Sequence, residues 1–228
     1  MVQGLRIHQK SNKKHMLRRV AGALFGVGLV VLAWGVYQWY MNGTTLPIPA
    51  TVLASSNIDQ SPIPQKQVAE YQVPADHPRY IAIPSLSIAQ VRIFPVSVTK
   101  TGQLDVPKNI HDAAWYTKSA LPGSGNGAVL IDAHSGGYGN DGVFSRLSQL
   151  HNGQEITLTR GDNTQITYSV VSVVDMPLDE VNKTGMKQMM TSVDPSKEGL
   201  SLITCSGKYV PRLGQFDRRI MVRAVATQ

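Results

Sequence analysis

Residues 155–176 read EITLTRGDNTQITYSVVSVVDM. Two runs rich in Ile, Thr, Val and Tyr, Glu155–Arg160 and Gln165–Met176, flank the polar turn GDNT. β-branched and aromatic side chains suit a pleated, half-buried surface, and a short Gly-Asp-Asn connection turns one strand back on the next. The segment predicts a β-hairpin. Working outward, five more runs of the same character are strand candidates: 80–83, 91–98, 128–133, 200–204 and 220–225. Gly102, Pro122–Gly125, Gly136–Gly139 and Gly153 punctuate them. Helical periodicity is weak, with short helices predicted over Val143–Leu150 and Asp179–Met190. The pattern predicts an all-β domain over 79–228, a barrel or sandwich with short helices.

Before this domain the composition changes twice. Residues 20–41, VAGALFGVGLVVLAWGVYQWYM, are uncharged throughout. About 20 such residues cross the hydrocarbon core of a bilayer as a helix. Trp34, Tyr37, Trp39 and Tyr40 crowd the C-terminal end, where amphipathic rings favour the interface. Residues 1–19 carry Arg6, Lys10, Lys13, Lys14, Arg18 and Arg19 and no acid. This asymmetry predicts a cytoplasmic N-terminus, a single membrane pass and an extracellular domain. A cleaved signal peptide fits less well, because the apolar run is long and no small-x-small site follows it closely. Residues 42–78, with Pro47, Pro49, Pro62, Pro64 and Pro74, read as a semi-extended linker.

The net charge of +7 suggests a nucleic-acid partner only until its location is considered. Setting aside the six N-terminal cations leaves 16 Lys and Arg against 15 Asp and Glu. The domain is close to neutral, and no nucleic acid is predicted as a partner.

One cysteine is present, Cys205, ending the apolar run Leu200-Ser-Leu-Ile-Thr-Cys205. An unpaired thiol outside the cell is exposed to oxidation, so its retention calls for a chemical use. His134 ends a similar run, Ala128-Val-Leu-Ile-Asp-Ala-His134. A thiol attacks as thiolate, and a Cys–His pair supplies a base for attack and an acid for the leaving group. Acyl transfer also needs a fixed partner for the developing oxyanion. Arg212, Arg218 and Arg219 follow Cys205 closely enough to return beside it through a hairpin. Asp132, two residues before His134, is placed to share its strand face; a role in orienting the ring is weighed against the more ordinary one of a solvated or hydrogen-bonded acid. His77, His111 and His151 show no metal-ligand spacing, and no metal or cofactor is predicted.

These elements together resemble the sortase family. The resemblance rests on VLIDAH before His134, LSLITC up to Cys205, and the strand opening Arg218-Arg-Ile-Met-Val222. It extends through Ile81-Ala-Ile-Pro84, Val106-Pro, Ala114-Trp-Tyr116, Pro122-Gly-Ser-Gly-Asn126, Phe144-Ser-Arg-Leu147 and Leu150-His-Asn-Gly153, with class E and F members the most similar. Asp132-Ala133 and Ser206-Gly207 depart from the usual pattern. The resemblance implies an eight-stranded β-barrel with a groove at one end. It further implies a Cys205 thioester formed from the Thr–Gly bond of an LPXTG-like sorting signal, with His134 protonating the departing amine. The partners implied are surface proteins with C-terminal sorting signals and an amine acceptor, a peptidoglycan precursor or a pilin lysine. Aligning 218–222 to the family's Arg-x-Ile-x-Val strand selects Arg218, and strand parity groups Arg218 with Ile220 and Val222 on one face, with Arg219 and Arg212 as alternatives. Two other functions compete: an exported cysteine peptidase that releases its acyl group to water, and a non-catalytic surface-binding β-domain. Known exported cysteine hydrolases of the papain type place cysteine before histidine, the reverse of the order here.

Overall fold

A computed structural model describes residues 13–43, 58–100, 102–137 and 139–227. The start of the basic segment and residues 44–57 of the predicted linker lie outside the described residues.

Helix α1 spans Lys13–Asn42. Its side chains from Met16 onward are largely exposed all round, among them Leu24, Phe25, Val30 and Trp34. A helix apolar on every side, with no protein face against it, is suited to lipid. At 1.5 Å per residue it is about 45 Å long, enough to cross a bilayer with an interfacial turn at each end. Among the described residues it is the one helix long and apolar enough to do so.

Eight strands close into a barrel: β1 (Pro78–Ile83), β2 (Ile88–Val96), β3 (Ala113–Tyr116), β4 (Ala128–Ala133), β5 (Glu155–Arg160), β6 (Gln165–Pro177), β7 (Gly199–Val210) and β8 (Gln215–Ala226). Their order around the barrel is β1-β2-β3-β4-β7-β8-β6-β5. The β2–β3 and β4–β7 pairs are parallel, and the others antiparallel. Closure removes every free sheet edge. The predicted hairpin is β5–β6, with Glu155 opposite Ser169 and Thr159 opposite Gln165.

The period of two along each strand separates two apolar layers. The inward row fills the barrel: Val129, Ile131, Leu200, Leu202, Ile220 and Val222, with Tyr168 and Phe144, form one buried cluster. Truncating such a side chain costs about 2–5 kcal/mol. The outward row is usually solvated in a small barrel, but Leu130, Ile203 and Met221 are buried too. They are covered by the β6–β7 crossover, whose helical turns run Leu178–Glu180, Val181–Gly185 and Met186–Met189 and bring Val181 and Met189 against them. The outer face of β4, β7 and β8 therefore carries a second small core, and the groove described below begins at its edge.

Three local expectations change. Val143–Leu150 forms a single 3-10 turn at Leu147–Gln149, although Phe144, Leu147 and Leu150 are buried as their spacing required. The strand carrying Cys205 does not stop there but continues to Val210 across an irregularity between Ser206 and Tyr209. Gly207 supplies this bulge at a φ of 79°, where a side chain would collide with Asp217 and Arg218. Finally, the chain packs on the barrel from residue 58 onward. Asp59 bridges to Asn109. A short helix, Gln65–Ala69, is followed by the carbonyl of Tyr71, which accepts a 2.6 Å bond from Arg79 Nε.

Candidate active site

β4 and β7 run parallel and in register, Asp132 beside Ile203. His134 leaves the end of β4 as Cys205 leaves the regular part of β7. One residue earlier on each strand, Thr204 Oγ1 donates a 2.7 Å hydrogen bond to the carbonyl of Ala133. Both groups are buried, so this bond fixes the spacing of the two strand ends in a low-dielectric setting. Behind the histidine, Phe144 N–H donates to the His134 carbonyl at 3.0 Å. Gly142 lies so close to that carbonyl that a Cβ would clash with it.

On its other side β7 pairs with β8, and Cys205 stands directly opposite Arg219. Directly paired residues project from the same face, so sulfur and guanidinium share the outer face. Arg219 is held by 3.0 and 2.8 Å bonds from Nη1 to the carbonyls of Phe216 and Arg218, and a 2.8 Å bond from Nη2 to Gln215 Oε1. Arg218, the arginine selected by alignment, is placed elsewhere. It continues the inward row of Val222 and Ile220 to the barrel rim, where Nε lies 3.1 Å from Asp175 Oδ1 and Nη2 donates to the Asp175 carbonyl at 2.8 Å. Ser206 donates to the same carboxylate. The parity reading that grouped Arg218 with Ile220 and Val222 therefore holds, but that row faces away from Cys205. Arg212 lies in the 3-10 turn Pro211–Leu213 between β7 and β8.

Asp132, His134, Cys205 and Arg219 line one cavity of about 780 Å³ on the outer face of the barrel. Its apolar walls come from the crossover, with Val181 and Met186, and from the β2–β3 connection, with Val98, Leu104 and Val106. Ile58, at the start of the packed N-terminal segment, lines it as well.

The imidazole of His134 is oriented by backbone. Its Nε2 lies 2.7 Å from the carbonyl of Pro107. A carbonyl only accepts, so Nε2 carries the proton and Nδ1 keeps the lone pair. Asp132 is not the ring's partner. Burial lowers the His134 pKa, partly opposed by the Pro107 bond. Burial raises the Cys205 pKa, with Arg219 opposing and Asp132 reinforcing the rise. Both shifts favour the uncharged thiol and imidazole over a thiolate–imidazolium pair at rest. The Pro107 carbonyl had no signal in the sequence, because any residue offers one.

Among the described residues no three His, Cys, Asp or Glu side chains gather as metal ligands. Asp175 is paired with Arg218 and accepts from Ser206.

A closed eight-stranded barrel carries a lone cysteine, a histidine and an arginine on one outer groove. The family model for the sortase domain matches residues 81–227, and the chain belongs to the sortase family. Among solved structures it is similar to a lid mutant of sortase A from Corynebacterium diphtheriae, at 22% identity and a TM-score of 0.50, covering 78% of this chain and 90% of that one. It is also similar to a lid mutant of Streptococcus agalactiae sortase C1, at 14% identity and a TM-score of 0.50, covering 69% and 71%. At these identities the likeness concerns the fold. No curated protein matches the chain.

Proposed function

We propose that the chain is a membrane-anchored sortase transpeptidase. It cleaves an LPXTG-like sorting signal and transfers the acyl group to an amine, joining surface proteins to the cell wall or to a pilus. The observation that carries this reading is the convergence of Cys205, His134 and Arg219 on one outer groove from three adjacent strand segments.

The chemistry follows from the resting charges. Cys205 Sγ attacks the Thr carbonyl carbon of the signal while its proton passes to the free Nδ1 of His134. The carbonyl π electrons become an oxyanion, which Arg219 is placed to stabilise. Collapse breaks the C–N bond, His134 returns the proton to the departing glycine amine, and a thioester remains on Cys205. An incoming amine then gives its proton to His134 and displaces the sulfur, restoring the thiol. Arg219 takes the role first assigned to Arg218, because Arg219 shares the cysteine's face.

α1 supports anchoring, and the six cations before the apolar run support a cytoplasmic N-terminus with the barrel outside. Gly43, at the end of α1, packs against Tyr209 and Val210, close to the residues lining the groove. That placement suits substrates delivered at the membrane surface.

The test is to give the full chain, in detergent micelles, an LPXTG peptide with and without a small amine acceptor. Amine-dependent ligation, lost in Cys205→Ala, supports a transpeptidase. Cleavage at an unchanged yield of hydrolysed product with or without amine supports a cysteine peptidase. No cleavage and no thiol labelling support a non-catalytic domain.

A further inference from the structure

Among the described residues lining the groove, Asp132 is the one carboxyl, and the acyl-transfer steps leave it unused. It occupies the outward row of β4 after Leu130, beside Ile203 of β7, and lines the same cavity as Cys205 and Arg219. The titratable and charged groups facing this cavity are Tyr116 from β3, His134 after β4, Cys205 and Tyr209 from β7, Arg219 from β8 and Lys187 from the crossover. His134 is committed to Pro107, so the ring is not where the carboxyl acts. Its Coulombic partner is Arg219, and it acts in turn on the thiol of Cys205.

Two acidic groups thus share one guanidinium. Arg219 favours an anion on either, and each anion disfavours the other. We propose that Asp132 is a positioning residue whose ionised carboxylate competes with the Cys205 sulfur, and with the oxyanion formed on substrate, for Arg219, making the protonated carboxyl the working form. This inference rests on the reading of Cys205 as nucleophile.

The protonated form is accessible. Burial pushes the Asp132 pKa up to about 7, with Arg219 and the Ala133 backbone opposing. Below that pH the carboxyl is neutral and Arg219 is free for sulfur and oxyanion. Above it the carboxylate draws on Arg219 and holds the thiol protonated. The thiol of Cys205 therefore gains reactivity less steeply as pH rises through neutrality than an isolated thiol does.

The experiment reads the thiol itself. Iodoacetamide labelling of Cys205 is followed in the full chain, in micelles, from about pH 5.5 to about pH 9, with Asp132→Asn and Asp132→Ala beside wild type. The ratio of variant to wild-type rate is expected near one at the acid end, where wild-type Asp132 is already neutral. It should climb through neutrality to about fivefold at the alkaline end, below a full tenfold per pKa unit because a more acidic thiol is a weaker nucleophile. A ratio flat with pH, a ratio below one, or failure of both variants to fold overturns the proposal, since the carboxyl would then be only structural. The labelling profile is separable from the transpeptidase reading. A chain that shows the profile but transfers no peptide removes that reading and leaves the competition between Asp132 and Cys205 standing.

Discussion

Cys205 and Arg219 face each other across the β7–β8 ladder, on the outside of the barrel. Arg218, one residue earlier, points along the opposite row and pairs with Asp175. The two arginines should therefore separate cleanly. Arg219→Ala should lower kcat/KM for peptide cleavage by about 10²–10³-fold, the usual loss when an oxyanion partner is removed. Arg218→Ala should leave kcat/KM within a few-fold, and its exposed ion pair should cost no more than about 1 kcal/mol of stability. Steady-state kinetics on both variants decide the assignment.

Thr204→Val should lose the bond to Ala133 while keeping shape. The buried carbonyl is left without its donor, at a cost of about 1–3 kcal/mol in chemical denaturation. Because the bond sits one residue before both Cys205 and His134, kcat should fall more than KM rises.

Glu198 anchors the far end of the barrel. It is buried and accepts hydrogen bonds from Gly123 N–H, Gly125 N–H, the Ser124 hydroxyl and Tyr168. Glu198→Ala should destabilise the domain by about 2–4 kcal/mol by stranding these donors. It lies away from the groove, so the refolded or cooled variant should retain near wild-type kcat.

Stability should bend twice with pH, in opposite senses. The His134 pKa is lowered on folding, so its contribution is full above the ordinary histidine value and is lost as pH falls through the folded one. The Asp132 pKa is raised to about 7, so its contribution is full at acid pH and is lost as pH rises through about 7. Thermal melts of Asp132→Asn should lack the loss that develops as pH rises from the ordinary carboxylate range to about 7, and those of His134→Gln should lack the loss below the ordinary histidine value.

The sequence was informative where side-chain period carried the signal. The β5–β6 hairpin, the strands bearing His134 and Cys205, and the apolar helix were legible from alternation, length and charge. β3 was missed because Ala113–Tyr116 is four residues long and begins with two alanines, too brief for alternation to register. The choice between Arg218 and Arg219 was not legible for a different reason. Parity correctly grouped Arg218 with Ile220 and Val222, but period alone does not say which row faces a site. That depends on the crossover burying Leu130, Ile203 and Met221 outside the barrel, a tertiary fact. Pro107 and Ile58 reach the groove from loops, where no period marks a contact.

The central claim is that Cys205 carries the acyl group. Mass spectrometry of the full chain, quenched in acid soon after mixing with an LPXTG peptide, tests it most directly. The account predicts an adduct of the acyl fragment on the peptide containing Cys205, released by hydroxylamine, discharged by an amine acceptor and absent in Cys205→Ala. Ligated product from Cys205→Ala, or turnover by wild type with no adduct on Cys205 at any time, would contradict it.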